Sequence, residues 1–393
     1  MKKWIGGIFL ILVLALGGVW LSLDKDTKNL LMNLPSDQNV MFWSVPQRDA
    51  GFRAIDKLPI LAYNTIEKGE VVSELAVGDQ MPMSSQSIDA YMQQQRTAGI
   101  VILHKGKIRL ERYGLGFSKE GKWTSFSVAK SFTSTLVGAA IKDGFINSIN
   151  DKVTDYIPSM LGSAYDDVTV EQLLTMTSGV QWNEDYSDPN SDVSRFNFHV
   201  PPEGVDVSAS YLRQLPRATE PGTQWLYSTG ETNLIGLLVS QATGKQLSQY
   251  LSEKVWQHIG SEQDATWVLN GTGHEISGCC IQASTRDFAR FGQFIMQGAV
   301  VNGESIVPDD WFDFAVTKQA DTGSSISGYG YQWWTNNDGS FEGKGIFGQG
   351  IFIDPNRELI IATNGNWPKA VGSEWTTKRA AFYRSVQAAI DGE

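Results

Sequence analysis

Hydrophobic and polar positions first fall into a regular pattern near residue 100. Ile100-Val-Ile-Leu-His104 and Ile108-Arg-Leu-Glu-Arg-Tyr113 are two β-rich runs about Lys105-Gly106-Lys107, which predicts a hairpin. From Ser127 the apolar and small positions continue through Leu136, Val137, Ala139, Ala140 and Ile141 to Gly144, the pattern of a buried helix with a glycine stop. Another helix starts at Val170-Glu-Gln-Leu-Leu174 and ends near Ser178-Gly179, and Leu234, Ile235, Leu237, Leu238 and Ala242 mark a further one closed by Gly244. Helical patterns also run from Leu247 to His258 and from Thr285 to Gly298. In the last third, Gly330–Trp334, Gly345–Ile353 and Glu358–Ala362 read as strands, followed by a closing helix from about Ser373 to Ile390. Strands toward both ends of a helical middle predict an α/β protein of the α+β type. Its antiparallel sheet is built from both chain ends and flanked by helices, with a mainly helical subdomain beside it.

The first ninety residues read differently. Trp4 to Leu23 carries no charge, with Lys2 and Lys3 before it and Asp24, Lys25 and Asp26 after it. Such a run is long enough to span a bilayer, so residues 1–23 are expected to form a single-pass anchor that contacts the membrane through residues 4–23. The two lysines place the N-terminus in the cytoplasm and the rest of the chain outside, in the periplasm. A cleaved signal peptide with Ala15-Leu16-Gly17 as its small-residue site is the rival reading, and would give a secreted protein. Residues 24–90 contain Pro35, Pro46, Pro59 and Pro82 and keep no period, so they are expected to be a linker wrapping onto a body at 91–393. Within that body, Gln181 to Arg217 is rich in Asn, Asp, Pro and aromatic residues, the composition of an irregular region that borders a cleft.

Composition narrows the function. A chain of 393 residues with 41% hydrophobic content buries a large core, and its net charge of −11 with no basic stripe argues against nucleic-acid binding. The two cysteines, Cys279 and Cys280, are adjacent, too cramped for an ordinary disulfide, and without clustered histidines they make no zinc site. No metal or cofactor is expected.

The candidate chemistry lies at Ser127-Val-Ala-Lys130. A serine hydroxyl is a poor nucleophile near neutral pH, and a lysine at i+3 on a helix shares its face and can take the proton. It can do so only if burial or a nearby positive charge disfavours the ammonium form, and Phe126, Val128, Ala129 and Phe132 are apolar company. Taken alone the motif is equally compatible with an N-cap serine followed by a solvated helix lysine.

Further stretches in a fixed order decide between these. Ser127-Val-Ala-Lys130, Leu173-Leu-Thr-Met-Thr-Ser-Gly179, Pro221-Gly-Thr-x-Trp-x-Tyr227-Ser228, Thr285-Arg-Asp-Phe-Ala-Arg-Phe-Gly292 and Gly343-Lys-Gly-Ile-Phe-Gly-Gln-Gly350 together resemble the serine β-lactamase and penicillin-recognising superfamily, in its class C β-lactamase, DD-peptidase and esterase branch. The resemblance implies Ser127 as nucleophile and Lys130 and Tyr227 as general base and acid, with the Lys130 ammonium depressing the pKa of the Tyr227 phenol. It further implies an oxyanion hole from the backbone N–H groups of Ser127 and Ile346. The usual asparagine of the tyrosine motif is Thr229 here, and the usual Lys-Thr-Gly is Gly343-Lys344-Gly345, which removes the cation that would meet a penicillin carboxylate. Gly-Ile-Phe-Gly-Gln and Asp185-Tyr186-Ser-Asp-Pro are most similar to the 6-aminohexanoate-dimer hydrolase group, implying substrate contacts at Tyr186 and Gly345.

The expected activity is hydrolysis of a small-molecule carboxylic ester or amide through an acyl-enzyme on Ser127. The rivals are a cell-wall DD-peptidase or β-lactamase and, in another class, a non-catalytic membrane-anchored binding or regulatory protein. A Ser-His-Asp hydrolase has no Gly-x-Ser-x-Gly turn here, and His104, His199, His258 and His274 lie in no motif.

Overall fold

The hairpin about Lys105-Gly106 seeds the main sheet. In the computed structural model, which describes residues 13–393 apart from 36, 38, 59, 60 and 197, its strands are β1 (Thr97–His104) and β2 (Lys107–Tyr113). The C-terminal third adds β3 (Ser327–Tyr329), β4 (Trp334–Asn336), β5 (Phe341–Gly345), β6 (Gln349–Asp354) and β7 (Leu359–Gly365). The seven strands are antiparallel in the order β2-β1-β7-β6-β5-β4-β3, so strand β1 from early in the chain pairs with β7 near its end. The sheet is thus completed by distant segments, as the sequence pattern predicts.

Alternation along β1 explains the layers. Ile100 and Ile102 pack on one face with Met92 of α1 (Ser85–Gln95) and with Phe382 and Val386, while Val101 and Leu103 turn to the other face. That second face meets α2 (Ala129–Lys142), α3 (Thr229–Thr243) and α4 (Thr285–Met296), whose apolar side chains merge into one core. Phe132 of α2 stacks on Phe291 of α4 with ring centroids 3.5 Å apart. The closing helix α5 (Ser373–Asp391) covers the first face.

Three expectations need correction. The run Gly330–Trp334 is not one strand: the chain leaves the sheet between β3 and β4, where Gln332 has φ of 61° and its side-chain amide donates to the carbonyls of Leu173 and Leu174. The run Gly345–Ile353 is likewise broken at Ile346–Gly348, where Phe347 has φ of 61°. Residues 24–90 are more than a connector, for they form helices at Lys25–Met32 and Val45–Gly51 and a strand at Tyr63–Ile66. That strand is the edge of a second antiparallel sheet whose order continues with Ala265–Val268, Ile281–Ala283 and Trp123–Thr124.

The membrane anchor is the fourth correction. No helix among the described residues is long and apolar enough to cross a membrane. Of the expected span, residues 4–12 lie outside the described residues. Of the described remainder, residues 13–22 are helical. The single-pass topology and the periplasmic placement inferred from it therefore lose their basis.

Candidate active site

Ser127 sits in a one-turn 3₁₀ segment, Phe126–Val128, that leads directly into α2. The turn is pinned from behind. The Ser125 N–H donates to the Ile281 carbonyl at 2.8 Å, and the Ser125 hydroxyl accepts from the Ile281 N–H at 3.0 Å. Phe126 is left-handed, with φ of 43°, a conformation that costs a non-glycine residue energy and persists only where packing fixes it. Its ring is fixed by Phe52 and Phe347, with centroids 4.9 and 5.5 Å away, and all three side chains are buried.

One helical turn on, Lys130 is buried on the same side of α2. Its ammonium donates to the Thr229 hydroxyl at 3.0 Å and to the Gly278 carbonyl at 3.2 Å. Burial pulls its pKa down to about 8, and the negative charge of Glu184 works in the opposite sense. This is the lowered lysine that base chemistry needs. Lys130 Nζ also lies 5.3 Å from the centroid of the Tyr227 ring.

Tyr227 comes from the segment just before α3, which Ser228 caps by accepting from the Glu231 N–H at 3.2 Å. Its ring stacks on Trp334, and its phenol lies near enough to Ser127 for the serine hydroxyl to oppose the rise in its pKa. Here the structure departs from expectation. Burial, with the Glu184 charge second, pushes Tyr227 well above the usual tyrosine pKa, and only the Ser127 hydroxyl opposes this. The phenol therefore stays protonated and is suited to giving a proton.

Glu184 is the residue that the sequence patterns missed. Its carboxylate accepts from the Thr229 N–H at 3.0 Å, the Tyr186 phenol at 2.7 Å, the Thr229 hydroxyl and the Trp182 indole N–H. The available signal was the alternation Trp182-x-Glu184-x-Tyr186, with two aromatic donors flanking an acid. Tyr186 is thus held by Glu184 while its ring lines the cavity beside Ser127.

Strand β5 closes the other side. It is an interior strand, flanked by β4 and β6, and its glycines are demanded by the neighbouring Ser127 segment. A Cβ on Gly345 would come within 2.6 Å of the Ser125 carbonyl oxygen, and one on Gly343 within 3.0 Å of Ser131 Oγ. Gly345 accordingly lies against the turn and is not among the residues lining the cavity, whereas Ile346, immediately after it, is. Lys344 points to the opposite face, where it pairs with Glu342 at 2.9 Å and lies over the Trp334 ring. It offers no cation to the cavity.

The cavity has a volume of about 550 Å3. Ser127, Ile346, Thr229 and Tyr186 stand on its wall together with Trp43, Ile55 and Leu61 from the N-terminal segment. None of the four histidines lines it among the described residues. Cys279 and Cys280, too cramped by their adjacency for an ordinary disulfide, are joined to each other as a vicinal one on the same wall, next to the Gly278 carbonyl that accepts from Lys130.

The family model described as beta-lactamase matches residues 85–382. A 6-aminohexanoate-dimer hydrolase from Paenarthrobacter ureafaciens is 28% identical over 320 residues, 77% of this chain and 81% of that protein. A beta-lactamase from Pseudomonas fluorescens is 28% identical over 217 residues, 50% of this chain and 56% of the other. Among solved structures, a Bacillus anthracis protein provisionally assigned as a 6-aminohexanoate-dimer hydrolase superposes with a TM-score of 0.76 at 21% identity, covering 91% of this chain and 99% of that one. A family VIII carboxylesterase superposes at 0.60 with 18% identity, over 78% of this chain and 98% of its own. These likenesses are to the fold. With the family model spanning most of its length, the chain belongs to the beta-lactamase family and is a hydrolase.

Proposed function

We propose that the protein hydrolyses a carboxylic ester or small amide by acyl transfer through Ser127. The observation that carries this reading is Lys130, a buried amine pulled down to about 8, one helical turn from a serine that opens onto a cavity. As Ser127 Oγ bonds to the carbonyl carbon, its proton passes to the neutral Lys130 amine. The Tyr227 phenol gives its proton to the leaving oxygen or nitrogen and regains one from the Lys130 ammonium. Water then attacks the acyl-enzyme, its proton returning by the same pair, and the acid departs. The backbone N–H groups of Ser127 and Ile346 are assigned to the developing oxyanion, and Tyr186 to substrate contact. Gly345 acts by its smallness, letting β5 approach the turn. The hydrolase body is taken to run over 91–393.

A DD-peptidase or β-lactamase reading is less favoured because Lys344, the cation within the third motif, faces Glu342 and Trp334. A purely binding protein would have no use for a buried lysine beside a serine and a tyrosine. Turnover of p-nitrophenyl esters and amides, compared with a penicillin and a D-Ala-D-Ala peptide, tests the choice. Ser127→Ala should abolish both turnover and labelling by a fluorophosphonate, and labelling at the wild-type level in that variant would refute the assignment.

A further inference from the structure

The described wall of the cavity beside Ser127 carries no charge. Among the described residues lining it there is no lysine, arginine, histidine, aspartate or glutamate. Its polar side chains are largely committed to the protein already. The Thr229 hydroxyl and the Tyr186 phenol donate to Glu184, Asn39 Oδ1 accepts from the Met41 N–H, and Asn270 Oδ1 accepts from the N–H groups of Thr272 and His274. The charges nearby are committed elsewhere, the buried Lys130 ammonium to the Thr229 hydroxyl and the Gly278 carbonyl. Glu184 is saturated by its four donors, and Lys344 lies on the far face of β5. A charged substituent entering here would lose its water and meet no partner, whereas an apolar one gains from leaving water.

We infer that the substrate is an uncharged ester or amide with an apolar arm housed in this cavity, and that the N-terminal segment sets the length of that arm. This rests on the reading of Ser127 as the acylated nucleophile. With Ser127 and Ile346 on the wall, the carbonyl is held there and the arm runs toward Trp43, Ile55 and Leu61. A volume of about 550 Å3 lies within the range of roughly 300–1,000 Å3 typical of small-molecule sites. Trp43, Ile55 and Leu61 are large and apolar, so their size fixes the depth available.

The test uses the full chain with p-nitrophenyl esters from acetate to decanoate, and alkyl acetates as the mirror series with the arm on the alcohol. Two charged analogues of the hexanoate, one ending in a carboxylate and one in an ammonium, are compared with it, and fluorophosphonate labelling of Ser127 is followed in parallel. In one of the two series kcat/KM should rise about threefold per methylene until the cavity is full. Both charged analogues should fall at least about tenfold below the neutral hexanoate. Leu61→Trp should move the maximum to shorter chains, and Ile55→Ala should move it to longer ones. Charged analogues processed as well as the neutral ester, or a flat length profile in both series, would overturn the inference while intact Ser127 labelling left the hydrolase reading standing. A length profile unmoved in whichever variant folds would remove the role of the segment. Absence of both labelling and turnover would dismiss the hydrolase reading and this inference together.

Discussion

Thr229 and Glu184 are joined twice, through the Thr229 backbone N–H at 3.0 Å and through its hydroxyl. That same hydroxyl oxygen accepts from Lys130 at 3.0 Å, so the carboxylate reaches the lysine through a single intervening atom. Glu184→Gln removes a charge that raises the Lys130 pKa. The ascending limb of the kcat/KM profile should therefore move to lower pH, with fluorophosphonate labelling of Ser127 retained. A limb that stays in place would show that this carboxylate does not act on the titrating group.

Lys130 itself fixes where that limb lies. With its pKa at about 8, the proposed base is deprotonated only as pH rises through that value, so kcat/KM should climb toward a plateau above it. Lys130→Arg, always charged, should lose about 10²–10⁴-fold in kcat on that plateau and show no ascending limb.

The same lysine opposes folding. Its pKa falls from 10.5 to about 8 on folding, so between those values the unfolded chain binds more protons than the folded one. Stability should then rise with pH across that window and carry a constant penalty below it. Lys130→Met should gain about 1–3 kcal/mol at pH 7, after allowance for the two hydrogen bonds it loses, and should flatten the pH dependence above 8. Urea unfolding at pH 7 and pH 10 checks both.

Tyr227→Phe separates proton donation from nucleophilic attack. Because the phenol is held protonated, its loss should lower kcat about 10²–10⁴-fold and affect amides more than p-nitrophenyl esters, whose leaving group needs less protonation. Equal losses on both substrate types would assign Tyr227 to positioning Ser127 instead.

Glu231, buried in α3 and touched by Ser178 and Tyr165, has its pKa pushed up to about 8 by burial. Its unfolded value is 4.5, so the folded chain holds a proton that the unfolded chain releases between those two values. Stability on its account is complete below about 4.5 and is lost as pH rises toward 8. Glu231→Gln should leave stability near pH 4 little changed and raise it by about 1 to a few kcal/mol at pH 8, read from thermal melts at the two values.

Much of the site could be read from the chain because its parts follow strong local patterns. The Ser127–Lys130 spacing needs only a helix, and the glycines of β5 mark a close approach that the structure finds at Ser125 and Ser131. What was hidden depends on distant partners. Glu184 lies in a stretch without period, and its importance comes from donors at 182, 186 and 229. The break at Phe347 was masked by β-forming neighbours, since a left-handed residue leaves no trace in hydropathy. Residues 40–62 read as a connector because their apolar side chains face a cavity and a second sheet instead of one helix or strand face.

Phe52 has a consequence for when the enzyme becomes competent. Its ring braces Phe126 and Phe347, the left-handed neighbours of Ser127 and Ile346, and Arg48 in the helix just before it ties down residues near the other end of the chain by donating to Asn366 Oδ1 at 2.8 Å and the Trp367 carbonyl at 3.2 Å. Partners more than three hundred positions apart must therefore meet before Ser127 and Ile346, the proposed nucleophile and oxyanion donor, face each other. A ribosome-bound chain that still lacks its final strands holds the serine and the lysine but not their frame. On the proposed mechanism, hydrolytic competence therefore waits until the C-terminal strands have joined the sheet.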